Sequence, residues 1–238
     1  MALAVHMVTA TATSMKPGTK TGTRIRMTDP LLHLVQWMSP SFPIGAFAYS
    51  SGLETEIAES RITTAAHLEE WLKGVCTYGA AHSDVVLLNA SYAASTEERL
   101  NVDAIARAFC PSAERLKETD LQGTAFCGTV NALWSLGLPR LTYPVAVGAA
   151  AQAKHIPIEQ TAPLFLHATL SNLVSVAVRL VPLGQTEGQR VLSNLSAHIA
   201  GICSDAMATP LSAISSSAFA SDIASMRHET LDTRIFRT

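Results

Sequence analysis

The amino-acid sequence predicts an all-α fold, a single domain of about nine or ten helices packed around a buried central helix. Three observations predict it. Apolar residues recur at helical spacing between the cap residues and prolines that start and stop helices. Nowhere do four or more residues alternate apolar with polar between hairpin turns. One apolar stretch, residues 164–181, is long enough to thread a core.

Each element has its own signal. Asp29 before Pro30 places a cap residue ahead of a proline at the first helical position, and Leu31, Leu32, Leu34, Val35, Trp37 and Met38 follow. Ser39-Pro40 ends that helix, and residues 41–47 hold too much proline and glycine for regular structure. Thr64 opens a helix with Leu68, Trp71, Leu72, Val75 and Tyr78 on one face, continuing past Gly79 to Val86 and Leu87. Ser95 and Glu98 make a capping box ahead of Val102, Ile105, Ala106 and Phe109, and Pro111 ends that helix. Ser112 caps the next. A further helix carries Phe126, Val130, Leu133 and Trp134 and stops at Gly137 with Pro139 beyond. Pro144 opens a small-residue helix over 145–154, whose alanines permit close packing. The central helix starts at Leu164 between Pro163 and Pro182. Thr186 and Gln189 read as a second capping box leading into Val191, Leu192, Leu195, Ile199 and Ile202, with a break at Pro210. A last helix carries Phe219, Ile223 and Met226 before a short tail.

Composition narrows the function. Of 238 residues, 48% are hydrophobic and only 15% charged, which implies either apolar patches reserved for partners or a wide apolar core. Seventeen basic and nineteen acidic residues leave a net charge of −2 with no basic run, so no nucleic acid is expected as a partner. No membrane is expected either. The segment 164–181 contains His167, Ser171, Asn172, Ser175 and Arg179, and a buried helix fits it better than a bilayer span. Cys76, Cys110, Cys127 and Cys203 lie far apart and predict free thiols in a reducing compartment, hence a cytoplasmic protein. Residues 1–27 form a leader, expected to be poorly ordered, with Lys16, Lys20, Arg24 and Arg26 and no acid; some transit peptides share that composition. The domain is expected over 28–238, with a partner-binding tail at about 227–238.

Catalytic patterns are missing. Residues 18–23 have the flavour of a phosphate-binding loop but the wrong order, and no Gly-x-Ser-x-Gly elbow occurs. Ser50 and Ser51 sit in a glycine-flanked loop with no histidine or acid placed by sequence to activate them. The histidines form no His-x-x-x-His pair, so no catalytic, cofactor or metal residue is assigned. The expectation is not an enzyme. Two segments carry more specific usage. In the loop 39–54, Pro43, Gly45, Phe47, Tyr49, Ser50, Gly52 and Glu54 fall in close order, as a rigid turn or as a presented binding surface. The chain end joins His228, Glu229 and Thr230 to Arg234, Ile235, Phe236 and Arg237. Phe236 suits an apolar anchor and the arginines suit carboxylates, with the tail settling on another protein or docking back on its own domain.

Leu31-Leu32 and residues 41–54 resemble the opening signature of the urease accessory protein F (UreF) family. Residues 179–186 are similar to its middle signature, and 228–230 with 234–237 to its terminal one. Trp37 and Met38 stand where small or polar residues are common in that family, and the leader lies outside the match. The resemblance implies an all-helical homodimer that binds accessory protein D (H in some organisms) and, through that pair, the nickel-binding GTPase accessory protein G. It implies a urease maturation factor that acts on apo-urease as a scaffold and GTPase regulator. No cofactor is implied as stably bound, since nickel is handled by the assembled complex. A metallochaperone that binds nickel directly is the alternative.

Overall fold

The computed structural model describes residues 30–238, and the leader 1–27 with the Asp29 cap lies outside the described residues. Ten α-helices and two short 3-10 turns are described, in the order α1 (Pro30–Trp37), a 3-10 turn (Ala46–Ala48), α2 (Leu53–Ala58), α3 (Ala65–Tyr78), α4 (Ala80–Ala93), α5 (Thr96–Ala108), α6 (Ala113–Trp134), α7 (Tyr143–Ala153), α8 (Ile158–Leu180), α9 (Gln185–Ala208), a 3-10 turn (Leu211–Ala213) and α10 (Phe219–His228). The described residues contain no strand. The fold is all-α.

Most boundaries follow from local chemistry. The Thr64 hydroxyl accepts the His67 N–H at the start of α3, and the Ser112 hydroxyl accepts that of Arg115 at the start of α6. Ser95 and Glu98 exchange the two bonds of a capping box ahead of α5.

Four boundaries differ from the expectation. The helix from Thr64 does not run through Gly79; α3 ends there and α4 begins, and a Cβ on Gly79 would lie 2.9 Å from that of Ala218. The second capping box stands two residues earlier than expected, with the Gly184 N–H donating to Glu187 at 2.9 Å and α9 starting at Gln185. The central helix starts at Ile158, not Leu164, and carries Pro163 inside it. The missing N–H of Pro163 costs one intrahelical bond. Complete burial of Ile156, Thr161 and Ala162 holds the preceding turn in place. The short α2 had no periodic signal, being only 6 residues long.

The core is layered. An aromatic ladder crosses four helices, with ring centroids 5.5 Å apart between Trp37 and Phe126, 5.8 Å between Phe126 and Tyr143, and 5.3 Å between Tyr143 and Phe165. Helix α8, the one described helix long and apolar enough to cross a bilayer, packs instead against α1, α2, α4, α7 and α9. The most enclosed helix is α7, in which every residue of 144–151 is buried. Its alanines and Gly148 let α4 approach closely; a Cβ on Gly148 would stand 2.3 Å from the Leu88 carbonyl oxygen. Burial pushes the Cys76 thiol up to about 12 and those of Cys127 and Cys203 up to about 11, so these behave as inert core residues.

One face is reversed from expectation. Phe219, Ile223 and Met226 of α10 point to solvent, at 68, 46 and 48% exposure, while Ala224, Ser225 and His228 face inward. Small and polar residues seat α10 because it lies on backbone, at Gly52, and on carboxylates.

Gly148→Ala should force α4 and α7 apart and destabilise the domain by about 2–3 kcal/mol, read from the midpoint of urea unfolding. An unchanged midpoint would contradict the packing described for α7.

Candidate functional site

The loop 39–54 and the chain end, far apart in sequence, meet at one place. Gly52 makes the meeting possible. Its φ of 83° suits glycine, and an added Cβ would sit 2.6 Å from the Ser225 nitrogen. The loop therefore passes directly over the backbone of α10.

Glu54, on α2, is the hub. It is only 5% exposed. Its Oε1 accepts the Ile235 N–H at 2.7 Å, and its Oε2 accepts the Phe236 N–H at 3.0 Å and a bond from His228 Nε2 at 2.9 Å. Three polar groups from the tail and α10 thus converge on one carboxyl group. His228 is fully buried and turns its other nitrogen, Nδ1, to Glu114 Oε2 at 2.7 Å; Glu114 in turn accepts from Arg234 at 2.6 Å.

The rest of the tail zips along the loop. The Arg237 N–H donates to the Ala48 carbonyl at 2.8 Å, and the Ser50 N–H donates to the Thr238 carbonyl at 2.7 Å. The Ser50 hydroxyl donates to that same carbonyl oxygen, and the Thr238 hydroxyl donates to Glu118 at 3.0 Å. Asn172 of α8 supports the loop from below through the Tyr49 carbonyl at 3.2 Å. Over residues 235–238 exposure alternates, with Ile235 and Arg237 outward and Phe236 and Thr238 buried. Phe236 is covered by the Arg179 guanidinium, 5.6 Å from its ring centroid, and Arg179 also donates to the Phe47 carbonyl. Burying a phenylalanine contributes roughly 2–3 kcal/mol. That is enough to seat a short tail.

Deeper along α6 lies a second charged group. Arg115 is wedged between Asp84 at 2.5 Å and Glu118 at 3.2 Å. Burial raises the Asp84 carboxyl above the usual carboxylate range, against the pull of Arg115. These residues, with Ser51, Gln122 and Tyr143, line a cavity of about 640 Å³. No three His, Cys, Asp or Glu side chains converge on a metal position among the described residues.

The structure thus divides the residues singled out from sequence. Pro43, Phe47, Glu229, Thr230, Arg234, Ile235 and Arg237 are exposed and Gly45 is partly so; Tyr49, Ser50, Gly52, Glu54, His228 and Phe236 are buried. Tyr49 and Glu54 lie beneath the surface, as expected of the rigid-turn reading of this loop. The Ser50 hydroxyl is spent on the tail. Of the two arrangements expected for the tail, the structure has the one in which it lies on its own domain, through the bonds above. Glu114, Arg115 and Glu118 were not anticipated. Glu114 and Glu118 stand four apart on one face of α6, a spacing that reads as a solvated face until the tail is seen to cover it.

Known proteins of similar sequence bear on this geometry. The UreF family model matches residues 62–196. A protein of Roseobacter denitrificans named urease accessory protein UreF is 47% identical over 214 residues, covering 90% of this chain and 96% of that protein. The chain belongs to the UreF family. A Cereibacter sphaeroides protein of the same name is 48% identical over 89% of this chain and all of its own length, and one from Ruegeria pomeroyi is 44% identical over 87% and 96%. The loop and tail lie outside the segment that the UreF family model covers.

Glu54→Gln keeps the volume but removes the charge and one acceptor oxygen, and should cost about 2–3 kcal/mol in urea unfolding. An effect below about 0.5 kcal/mol would show that Glu54 is not the hub.

Proposed function

We propose that this chain is a non-catalytic urease maturation factor: a scaffold and GTPase regulator that, with accessory proteins D/H and G, promotes nickel insertion into apo-urease. Membership of the UreF family supports the class, and the relatives' shared name supports urease maturation. The observation that carries the scaffold reading is the docked tail. Its inward residues hold it down while Arg234, Ile235 and Arg237 face outward, Arg237 bonded through its amide to Ala48, next to Phe47, which is 62% exposed. An extended segment already ordered before a partner arrives loses less conformational freedom on binding. Arginines beside an exposed Ile235 and Phe47 suit a partner surface that offers carboxylates around an apolar pocket.

Two further apolar faces are uncovered. Leu32 and Val35 of α1, at 50 and 56% exposure, form one, and Val35 lines the same cavity as Phe47. The Phe219, Ile223 and Met226 stripe of α10 is the other. A homodimer that also holds a D/H partner needs more than one such face. The protein works in the cytoplasm on this reading, and nickel passes through the assembled complex as cargo. Direct, stoichiometric nickel uptake by the isolated chain, measured by calorimetry, would favour a metallochaperone instead.

Deleting residues 230–238 should abolish retention of the D/H partner in a pull-down while leaving the helical circular dichroism in place. Undiminished retention would refute the tail's role. Val35→Arg and Ile223→Arg should each remove a different association, self-association by light scattering or partner retention, without unfolding the domain. If both are silent, the exposed faces are not interfaces.

A further inference from the structure

The cavity of about 640 Å³ brings together polar groups from three helices: Asp84 of α4, Arg115, Glu118 and Gln122 of α6, and Tyr143 of α7. Their bonds are unevenly shared. Glu118 accepts from Arg115, Gln122, Ser51 and Thr238. Asp84 accepts from Arg115, through Oδ2 alone. Among the described residues nothing donates to Asp84 Oδ1 or to Gln122 Oε1, and the Tyr143 hydroxyl has no hydrogen-bond partner. Gln122 is only 5% exposed, so its free oxygen opens on the cavity and not on the outer surface. A buried acceptor without a donor is destabilising, and here whatever fills the cavity must supply one.

We infer that this cluster is a binding site for an organic cation rich in N–H donors, of the guanidinium or amidinium class. The groups left over are acceptors, and a planar cation with N–H bonds on two nitrogens can serve two acceptors at once. The Tyr143 phenol, held above its usual range by burial, keeps its proton and can complete the set. Burial raises the Asp84 carboxyl even with Arg115 beside it, and Glu118 adds to the rise; a second cation next to Asp84 relieves both effects. Trp37, Phe42 and Phe165 line the same cavity, and an organic cation is attracted to the faces of such rings. The volume exceeds what a bare guanidinium fills, so the ligand carries an apolar body as well.

Other ligand classes fit less well. A metal ion would need the space between Asp84 and Glu118, where Arg115 already stands, and no third ligating side chain converges there among the described residues. An anion would have to displace one of the two carboxyl groups from Arg115. The cation itself has two possible sources, a free small molecule or an arginine side chain inserted by a docked protein, and both present the same group. The site lies within the isolated chain, so its test is independent of the urease partners.

The test is calorimetric titration of the full chain with benzamidine, whose amidinium and phenyl ring match the polar and apolar parts of the cavity. Wild type should bind it saturably with a Kd below about 1 mM, at least about tenfold more tightly than benzyl alcohol or benzoate. Asp84→Asn should lose that preference, weakening benzamidine by about tenfold and leaving benzyl alcohol unchanged. Tyr143→Phe keeps the ring against Phe126 and Phe165 and should weaken benzamidine by about threefold. Methylguanidinium and a blocked glycyl-arginyl-glycine peptide should each compete with benzamidine, and the tighter of the two identifies the source. Absence of saturable benzamidine binding would overturn the site, as would equal binding of benzyl alcohol, an unchanged preference in Asp84→Asn, or failure of both competitors. Displacement of benzamidine by an equal concentration of nickel(II) would overturn it too, by making the cluster a metal site. If Asp84→Asn does not fold, the wild-type probe series and Tyr143→Phe decide, undiminished affinity in Tyr143→Phe counting against the site.

Discussion

A single buried carboxylate organises the far end of this molecule. Glu54 arrives on a helix of 6 residues, too short to be stable alone, and is the point on which loop, tail and α10 converge. A carboxyl group placed at 5% exposure is costly unless its oxygens are satisfied. Here two backbone amides and an imidazole satisfy them. The cost of burying polar oxygens is what gives the arrangement its specificity, because displacing the tail would leave Glu54 enclosed and short of donors.

The same logic extends along α6. Glu114 and Glu118 form a second row, one holding His228 and Arg234, the other Thr238 and Arg115. The tail thus lies over anions at both ends and over apolar contact at Phe236 in the middle. Beneath this surface the alanine-rich α7 supplies a closely packed base, and the aromatic ladder from Trp37 to Phe165 joins it to α1 and α8. A closely packed platform of this sort suits the proposed scaffold.

Much of the fold was legible because caps and periodicity are local. Thr64, Ser95, Ser112 and Pro210 marked real boundaries for that reason. Pro163 misled, because tertiary burial of the preceding turn outweighs one lost backbone bond. The orientation of α10 was also illegible: Phe219, Ile223 and Met226 have core spacing, yet the helix is seated by Gly52, Ser225 and His228, whose contacts lie far away in the chain. At the site, the loop and the tail stood out by residue usage, but only three dimensions show that they belong to each other. Glu114 and Glu118 carried no signal because an acid pair at i, i+4 looks the same whether water or a tail covers it.

On the proposed function, display is the tail's role. The inward side of the tail fixes its register, and the outward side offers arginine and isoleucine beside Phe47 to whatever docks there. The most direct measurement of this account is urease activation in cells that carry Glu54→Gln in place of the wild-type chain, alongside retention of the D/H partner by the purified variant. The account predicts that both fall together while the helical content is kept. A variant whose tail is shown to be undocked, yet which retains its partner and activates urease fully, would contradict it.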